Sequence, residues 1–461
     1  MVSLKAYSRA LHHGLFLLDN SDGIATPQQV ANEQYNVINF LGGAGPYKQN
    51  RGFGIDPSPP AQCQVEHVQL MSRHGERFPS KKDGKRFETI VQLMKDYRKN
   101  HGDLKGDLEF FNNYQYFVTN QDYYEKETDK NNANSPYLGL DDEHLHGQAF
   151  RKKYGHLLPK DIKFPVFSLN LGRCFYSGKE FAKGLLDDDS LANAEFVIVD
   201  ESSKMGANSL TPDCNKDNTN DAQIDKYDTS YLDKIIKRWQ NDNPGLSITK
   251  SQVSLLMRMC GFEINVRGWG PTCEIFTTEE WIKELYRGDI GNYYSLGRGN
   301  LMAPVQGSEM AKASLKLLEN TTSSNQIYVS FTHDTDVELM LTSLNIVDPK
   351  EDMDVSKVVF PSPYRIAEIV PMGARVYIER LNCGGENYVR FVINDAVYPI
   401  PSCQDGPGFT CHLDDYKKYL DDQIGKIDYA RDCALDNGVP SELTFYWDYN
   451  THKYNASLIN S

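Results

Sequence analysis

Val65-Glu66-His67-Val68-Gln69-Leu70-Met71-Ser72-Arg73-His74-Gly75-Glu76-Arg77-Phe78-Pro79 alternates polar and apolar residues, turns apolar, and ends by setting one histidine between two arginines. The run from Val65 to Met71 has the two-residue period of a strand entering a sheet. Beyond the loop, Gly84 to Arg98 has the pattern of a helix. A strand, a loop bearing reactive side chains and then a helix is the arrangement found at the carboxyl edge of an α/β sheet. The fold class expected is therefore α/β, with a mainly parallel or mixed central sheet flanked by helices in a large domain.

The same unit recurs. Phe164 to Leu169 reads as a strand, Arg173 follows it, and Tyr176 to Leu186 reads as the next helix. Ile327 to Phe331 is a further buried strand that ends on His333-Asp334, with Asp334 or Thr335 placed to cap the following helix. Helical patterns also cover 144–157, Pro304 to Leu318 and 412–424. Glu368 to Leu381 and Tyr388 to Ile393 alternate around Asn382-Cys383-Gly384-Gly385-Glu386-Asn387, a hairpin signal that leaves the register open. Tyr231 to about Leu285 is mostly helical, as a second region inserted between sheet elements would be. Residues 28–40 read as a short helix, 48–62 as an extended arm, 200–225 as a polar loop, and the tail after Asp436 as irregular surface chain. The division expected is 1–62 as helix and arm, 63–171 with 301–461 as the large domain, and 172–300 as a smaller, mainly helical domain.

The pattern Arg-His-Gly-x-Arg-x-Pro at 73–79 points to phosphate chemistry. Guanidinium groups bind phosphoryl oxygens through paired hydrogen bonds, so Arg73 and Arg77 are candidate phosphate ligands. His74 is then placed to attack phosphorus, giving a phosphohistidine, and its second ring nitrogen needs an acceptor that fixes the tautomer. Asp334 is the candidate acid for the departing oxygen, a role that a burial-raised pKa would serve, and His333 a cationic clamp. Gly75 suits close approach of the backbone to a ligand. No metal or other cofactor is required, because these cations supply the electrostatics. His144-Leu145-His146 has side chains splayed apart on a helix and no evident third ligand, so it is read as structural, as is His12-His13. Lys81, Lys82 and Lys85 form a candidate rim for remote phosphates, with weaker claims for Lys48 and Arg298.

A net charge of −14 would repel a polyanion at long range and argues against nucleic-acid binding, so the cationic character of this site has to be local. Surface carboxylates partly neutralise below about pH 4.5, which predicts an acidic working range provided His74 stays unprotonated. No stretch approaches the roughly 18 apolar residues of a membrane span, and the start lacks the pattern of a signal peptide.

None of the nine cysteines lies in a CxxC, and their number suits four disulfides and one thiol in a secreted protein. Cys260/Cys273 and Cys403/Cys411 are candidate local pairs, and Cys63 with Cys383 a candidate staple between the two ends of the core. The acceptor triplets at Asn320 and Asn455 agree with secretion.

Taken together, Arg73-His74-Gly75-Glu76-Arg77-Phe78-Pro79 and Phe331-Thr332-His333-Asp334-Thr335-Asp336 resemble the signatures of the histidine acid phosphatase family. The likeness is greatest to secreted yeast phytases and repressible acid phosphatases, and runs from Gly42-Gly43-Ala44-Gly45-Pro46-Tyr47 to the late cysteines. It implies a phosphorylated His74, Asp334 as proton donor, and Arg73, Arg77, Arg173 and His333 as phosphate ligands. It implies the phosphoglycerate mutase-like fold with the site between the large and the helical domain, no cofactor, glycosylation, and assembly into a homo-oligomer of unstated order. It also implies the pairs Cys63–Cys383 and Cys214–Cys433 beside the two local ones, and leaves Cys174 as the thiol. The substrate implied is a small phosphomonoester: inositol hexakisphosphate for a phytase, or many esters for an acid phosphatase. A mutase or bisphosphatase shares the Arg-His-Gly chemistry but not the secretion signals. A silent phosphate-binding protein would lack the nucleophile or the acid.

Overall fold

The computed structural model describes residues 37–160, 162–216 and 219–459. His12-His13, the start segment, most of the 28–40 helix and the first part of the 1–62 region lie outside the described residues. Val37–Phe40 is a single 3₁₀ turn.

The sheet is mixed, in the order β3-β2-β4-β1-β5-β6-β7, with β8 against β6. The strands are β1 Cys63–Arg73, β2 Phe164–Leu169, β3 Ala194–Val199, β4 Ile327–Thr332, β5 Arg375–Cys383, β6 Glu386–Ile393, β7 Ala396–Tyr398 and β8 Cys411–His412. The first four are parallel and the remainder antiparallel. Every residue of β2 and β4 is buried, as expected of parallel strands covered by helices on both faces.

The longer helices are α1 Lys81–His101, α2 Gly139–Tyr154, α3 Gly172–Leu186, α4 Ser230–Asp242, α5 Lys250–Arg267, α6 Thr278–Ser295, α7 Ala303–Glu319, α8 Asp334–Ser343 and α9 Leu413–Ile424. Ser80 begins α1 by accepting the Asp83 amide, and α5 and α6 each open on a threonine capping box. The residue that receives the His333 amide at the start of α8 is Asp336, at 3.2 Å, rather than Asp334 or Thr335. That arrangement leaves Asp334 to the site.

The hairpin register is set by Gly384 and Gly385, both at positive φ, which join the paired residues Cys383 and Glu386. Its first strand starts at Arg375, because Ile366–Ile369 is a short helix. β3 carries no strong alternation to mark it in the sequence. It extends the sheet beyond β2, and α3 packs on α2 and the sheet. The boundary at 172 therefore cuts through the α/β layer. We propose that the helical part comprises α1 with the chain to 138, and 200–300, because α1 and the Gly106–Asn113 turn pack on α5 and α4.

The tail is surface chain except at one anchor. Leu443, Phe445 and Tyr446 are buried, and the Phe445 and Tyr446 rings lie 5.6 and 4.8 Å from Phe167. A short aromatic run buries enough apolar area to hold a segment with little regular structure. Cys63–Cys383, Cys214–Cys433, Cys260–Cys273 and Cys403–Cys411 are bonded, and Cys174 is a buried free thiol. No described helix is long and apolar enough to cross a membrane.

Candidate active site

Three neighbouring parallel strands deliver the site. β1 pairs with β4 in the register Arg73↔Thr332, so the next residues along each strand, His74 and His333, emerge side by side. Their rings lie 6.1 Å apart. β2, on the other side of β4, leads into α3, whose second residue is Arg173. Arg173 Nη2 lies 3.5 Å from His333 Nδ1.

His74 is buried, with Nδ1 2.9 Å from the carbonyl oxygen of Gly75. A carbonyl only accepts, so Nδ1 carries the proton and Nε2 keeps its lone pair. Burial, then the charges of Arg173, Arg73, Arg77 and His333, hold the His74 pKa well below the usual value. Burial and those neighbours favour the neutral imidazole that attack on phosphorus requires.

Arg73 is buried and donates from Nη1 to the carbonyls of Gly43 and Val370, each at 2.7 Å. Its Nη2 lies 3.0 Å from Asp334 Oδ2. Arg77 donates to the carbonyl of Phe78 at 2.8 Å and lies over the Phe262 ring. Burial and the repulsion of Arg173 and Arg73 press the Arg77 pKa down to about 9. The Nε–H groups of Arg73, Arg77 and Arg173 are buried and have no acceptor among the described residues. A cluster of cations this poorly compensated suits a multiply charged oxyanion.

His333 is held by Cys174 Sγ at 3.6 Å from Nδ1 and by Glu201 Oε2 at 3.4 Å from Nε2. Burial lowers its pKa, but Cys174, Glu201 and Asp336 outweigh it and bring it to about 10, so His333 is a cation throughout the acid range. Asp334 departs from expectation. Its partial enclosure raises the carboxyl pKa, but Arg73, His333 and Arg77 win and hold it below the ordinary value. The charge of the site, rather than burial, decides.

A cavity of about 740 Å³ opens above, with Arg73, Arg77 and Asp334 in its lining and Arg86, Lys250, Arg258 and Arg287 on its helical wall. Lys81, Lys82 and Lys85 are exposed on the first turns of α1 and do not line this cavity. Lys48 bonds to Asn39, and Arg298 to Thr342 and Gln423, and neither lines the cavity. Asn320 is partly exposed and Asn455 exposed. His146 is buried between Glu143 and Tyr377, at 3.0 and 2.6 Å, while His144 sits beside Gln148. Gly75 admits a neighbouring backbone rather than a ligand, since a Cβ there would lie 2.6 Å from the carbonyl oxygen of Gly139.

Sequence reasoning missed Gly43, whose carbonyl holds Arg73, and Glu201, the partner of His333. The glycine-rich run 42–45 was the available signal for the first, whereas Glu201 sits in a polar loop with none.

The chain matches the histidine phosphatase superfamily (branch 2) over residues 64–394. It is 45% identical over 458 residues to phytase PHO112 of Candida albicans, covering 98% of this chain and 99% of that protein. It is 36% identical over 439 residues to the repressible acid phosphatase of Saccharomyces cerevisiae, covering 92% of each. The crystal structure of the phytase from D. castellii aligns with a TM-score of 0.90 at 47% identity, covering 95% of this chain and 96% of that one.

Proposed function

The chain belongs to branch 2 of the histidine phosphatase superfamily, and from that premise we propose that it hydrolyses inositol hexakisphosphate through a phosphohistidine at His74. The observation that carries the reading is His74 itself, with Nδ1 pinned by Gly75 and Nε2 free among three arginines. Arg73, Arg77, Arg173 and His333 hold the equatorial phosphoryl oxygens and neutralise charge in the transition state. Nε2 forms the bond to phosphorus as the ester P–O bond breaks, and Asp334 passes a proton to the departing oxygen. The ionised Asp334 then takes a proton from water, whose oxygen attacks phosphorus and releases phosphate and free His74.

The preference for an inositol polyphosphate is supported by the basic wall of the cavity and by the phytases among its relatives. The second reading is an acid phosphatase of broad specificity, favoured by the relative in Saccharomyces cerevisiae. Four disulfides and the exposed Asn455 triplet support secretion, and assembly into a homo-oligomer belongs to the same reading.

The test compares kcat/KM for inositol hexakisphosphate and para-nitrophenyl phosphate across the acid range, with His74→Ala as the blank. A strong preference for the inositol ester is expected. Preference for the aryl ester selects the broad phosphatase, and activity surviving in His74→Ala rejects the nucleophile.

A further inference from the structure

We propose that Ser177 and Glu127 are positioning residues that act through Gly75 to hold His74 ready for attack, an inference that rests on the phosphohistidine reading above. The Gly75 carbonyl is what sets the His74 tautomer, so the orientation of that residue decides which ring nitrogen is free. Glycine resists reorientation less than any other residue. Its backbone therefore has to be held from outside.

The clamp is a chain of buried hydrogen bonds. The Gly75 amide donates to Ser177 Oγ at 2.9 Å, and Ser177 Oγ donates to Glu127 Oε1 at 3.0 Å. Ser177 is fully buried and Glu127 nearly so. With the amide proton accepted on its oxygen, the hydroxyl turns its own proton to Glu127. The carbonyl of His74, on the other side of the same peptide unit, accepts from the Gly373 amide at 2.9 Å. The 74–75 peptide is thus held at both its polar atoms.

Glu127 is fixed in turn. Its backbone bridges to Arg77, the amide of its neighbour Thr128 donates to the Glu76 carbonyl at 2.9 Å, and its own carbonyl accepts from Asn132 Nδ2 at 2.9 Å. Burial pushes the Glu127 carboxyl up to about 8, against the hydrogen bond from Ser177 and the charges of Arg173 and Arg77, so in the acid range it is a neutral acceptor. A neutral acceptor secures the serine without placing a negative charge near the phosphoryl group.

Ser177 lies four residues beyond Arg173 on α3. One helix therefore carries both a phosphate ligand and the clamp on the nucleophile's loop. Neither residue touches the reacting atoms. Their loss should leave phosphate binding in place and slow the chemistry.

The experiment measures kcat, KM and the inhibition constant of inorganic phosphate in Ser177→Ala, with para-nitrophenyl phosphate as substrate. Expected is a fall in kcat of about ten- to a hundredfold with the phosphate inhibition constant within about threefold of the parent. A kcat within about twofold of the parent overturns the proposal, as does loss of phosphate binding in step with kcat. Should Ser177→Ala fail to fold, Glu127→Gln and Glu127→Leu decide. Gln keeps a neutral acceptor and should retain the parent kcat, whereas Leu fills similar volume without one and should lose it. Equal rates in those two variants overturn the clamp. Activity surviving in His74→Ala overturns the phosphohistidine reading and the clamp together, whereas an inactive His74→Ala beside a fully active Ser177→Ala overturns the clamp alone.

Discussion

Arg73 Nη2 and Asp334 Oδ2 stand 3.0 Å apart, so the residue assigned as the acid is ion-paired in the protein alone. A phosphoryl group bound to Arg73 competes for that guanidinium and sets negative charge beside the carboxyl, and both effects raise the Asp334 pKa. Binding of substrate would thus convert Asp334 from base to acid. Sulfate does not titrate in the acid range and mimics the charge. Its binding should take up protons, measured by calorimetry in buffers of different ionisation enthalpy, and the uptake should shrink in Asp334→Asn. Equal uptake in the two proteins would show that Asp334 gains no proton on binding.

The same residue predicts a dependence on leaving group. An inositol alkoxide is a poor leaving group and needs a proton as the P–O bond breaks, whereas para-nitrophenolate departs without one. Asp334→Asn should lower kcat by about 10²–10⁴ for the inositol ester and by much less for the aryl ester. Equal losses on both would place Asp334 in phosphate binding instead.

The helical wall makes a separable prediction about substrate size. Asp83 lies 3.7 Å from Arg86 and 3.3 Å from Arg258, holding both beside the cavity while cancelling part of their charge. Arg86→Ala combined with Arg258→Ala should raise KM for inositol hexakisphosphate about tenfold, about 1.4 kcal/mol, and leave KM for para-nitrophenyl phosphate unchanged. The difference should narrow at high salt, since both arginines are exposed. An unchanged ratio of the two KM values would remove this wall from the substrate site.

These residues mark where reading the chain in one dimension stopped. His74 and His333 were legible because each follows a short apolar strand, and strand ends in an α/β sheet carry chemistry. Their adjacency was not, since it depends on the Arg73↔Thr332 register between segments more than 250 residues apart. Arg86 and Arg258 belong to two helices with no local mark of a shared cavity, so the lysines nearest the loop in sequence drew attention instead. The ionisation of Asp334 was not legible for a related reason: the charges of Arg73, His333 and Arg77 reach it through space. Ser177 escaped notice because a serine inside a helix carries no signal until Gly75 is placed against it.

Buried acids give a prediction about stability against pH. Burial pushes Asp289 and Glu338 each to about 8, from unfolded values near 4. A carboxyl raised in this way contributes stability below its unfolded pKa and loses it as pH rises through the folded one. His333, raised to about 10, acts in the same direction above pH 6.5. His67 opposes them: burial lowers it to about 3, so its contribution is present above pH 6.5 and is lost as pH falls towards 3. Below pH 6.5 the two kinds of group partly cancel, whereas between 6.5 and 8 His67 is silent. Tm should therefore fall as pH is raised from 6.5 to 8, each raised group adding up to about 1.4 kcal/mol per pH unit. Asp289 accepts the Ile366 amide at 3.0 Å, an acceptor that Asn can reproduce. Asp289→Asn should consequently flatten the decline while leaving Tm nearly unchanged below pH 4, where Asp289 is protonated in both the folded and the unfolded chain. A decline of undiminished slope in that variant would show that Asp289 is ionised in the folded protein.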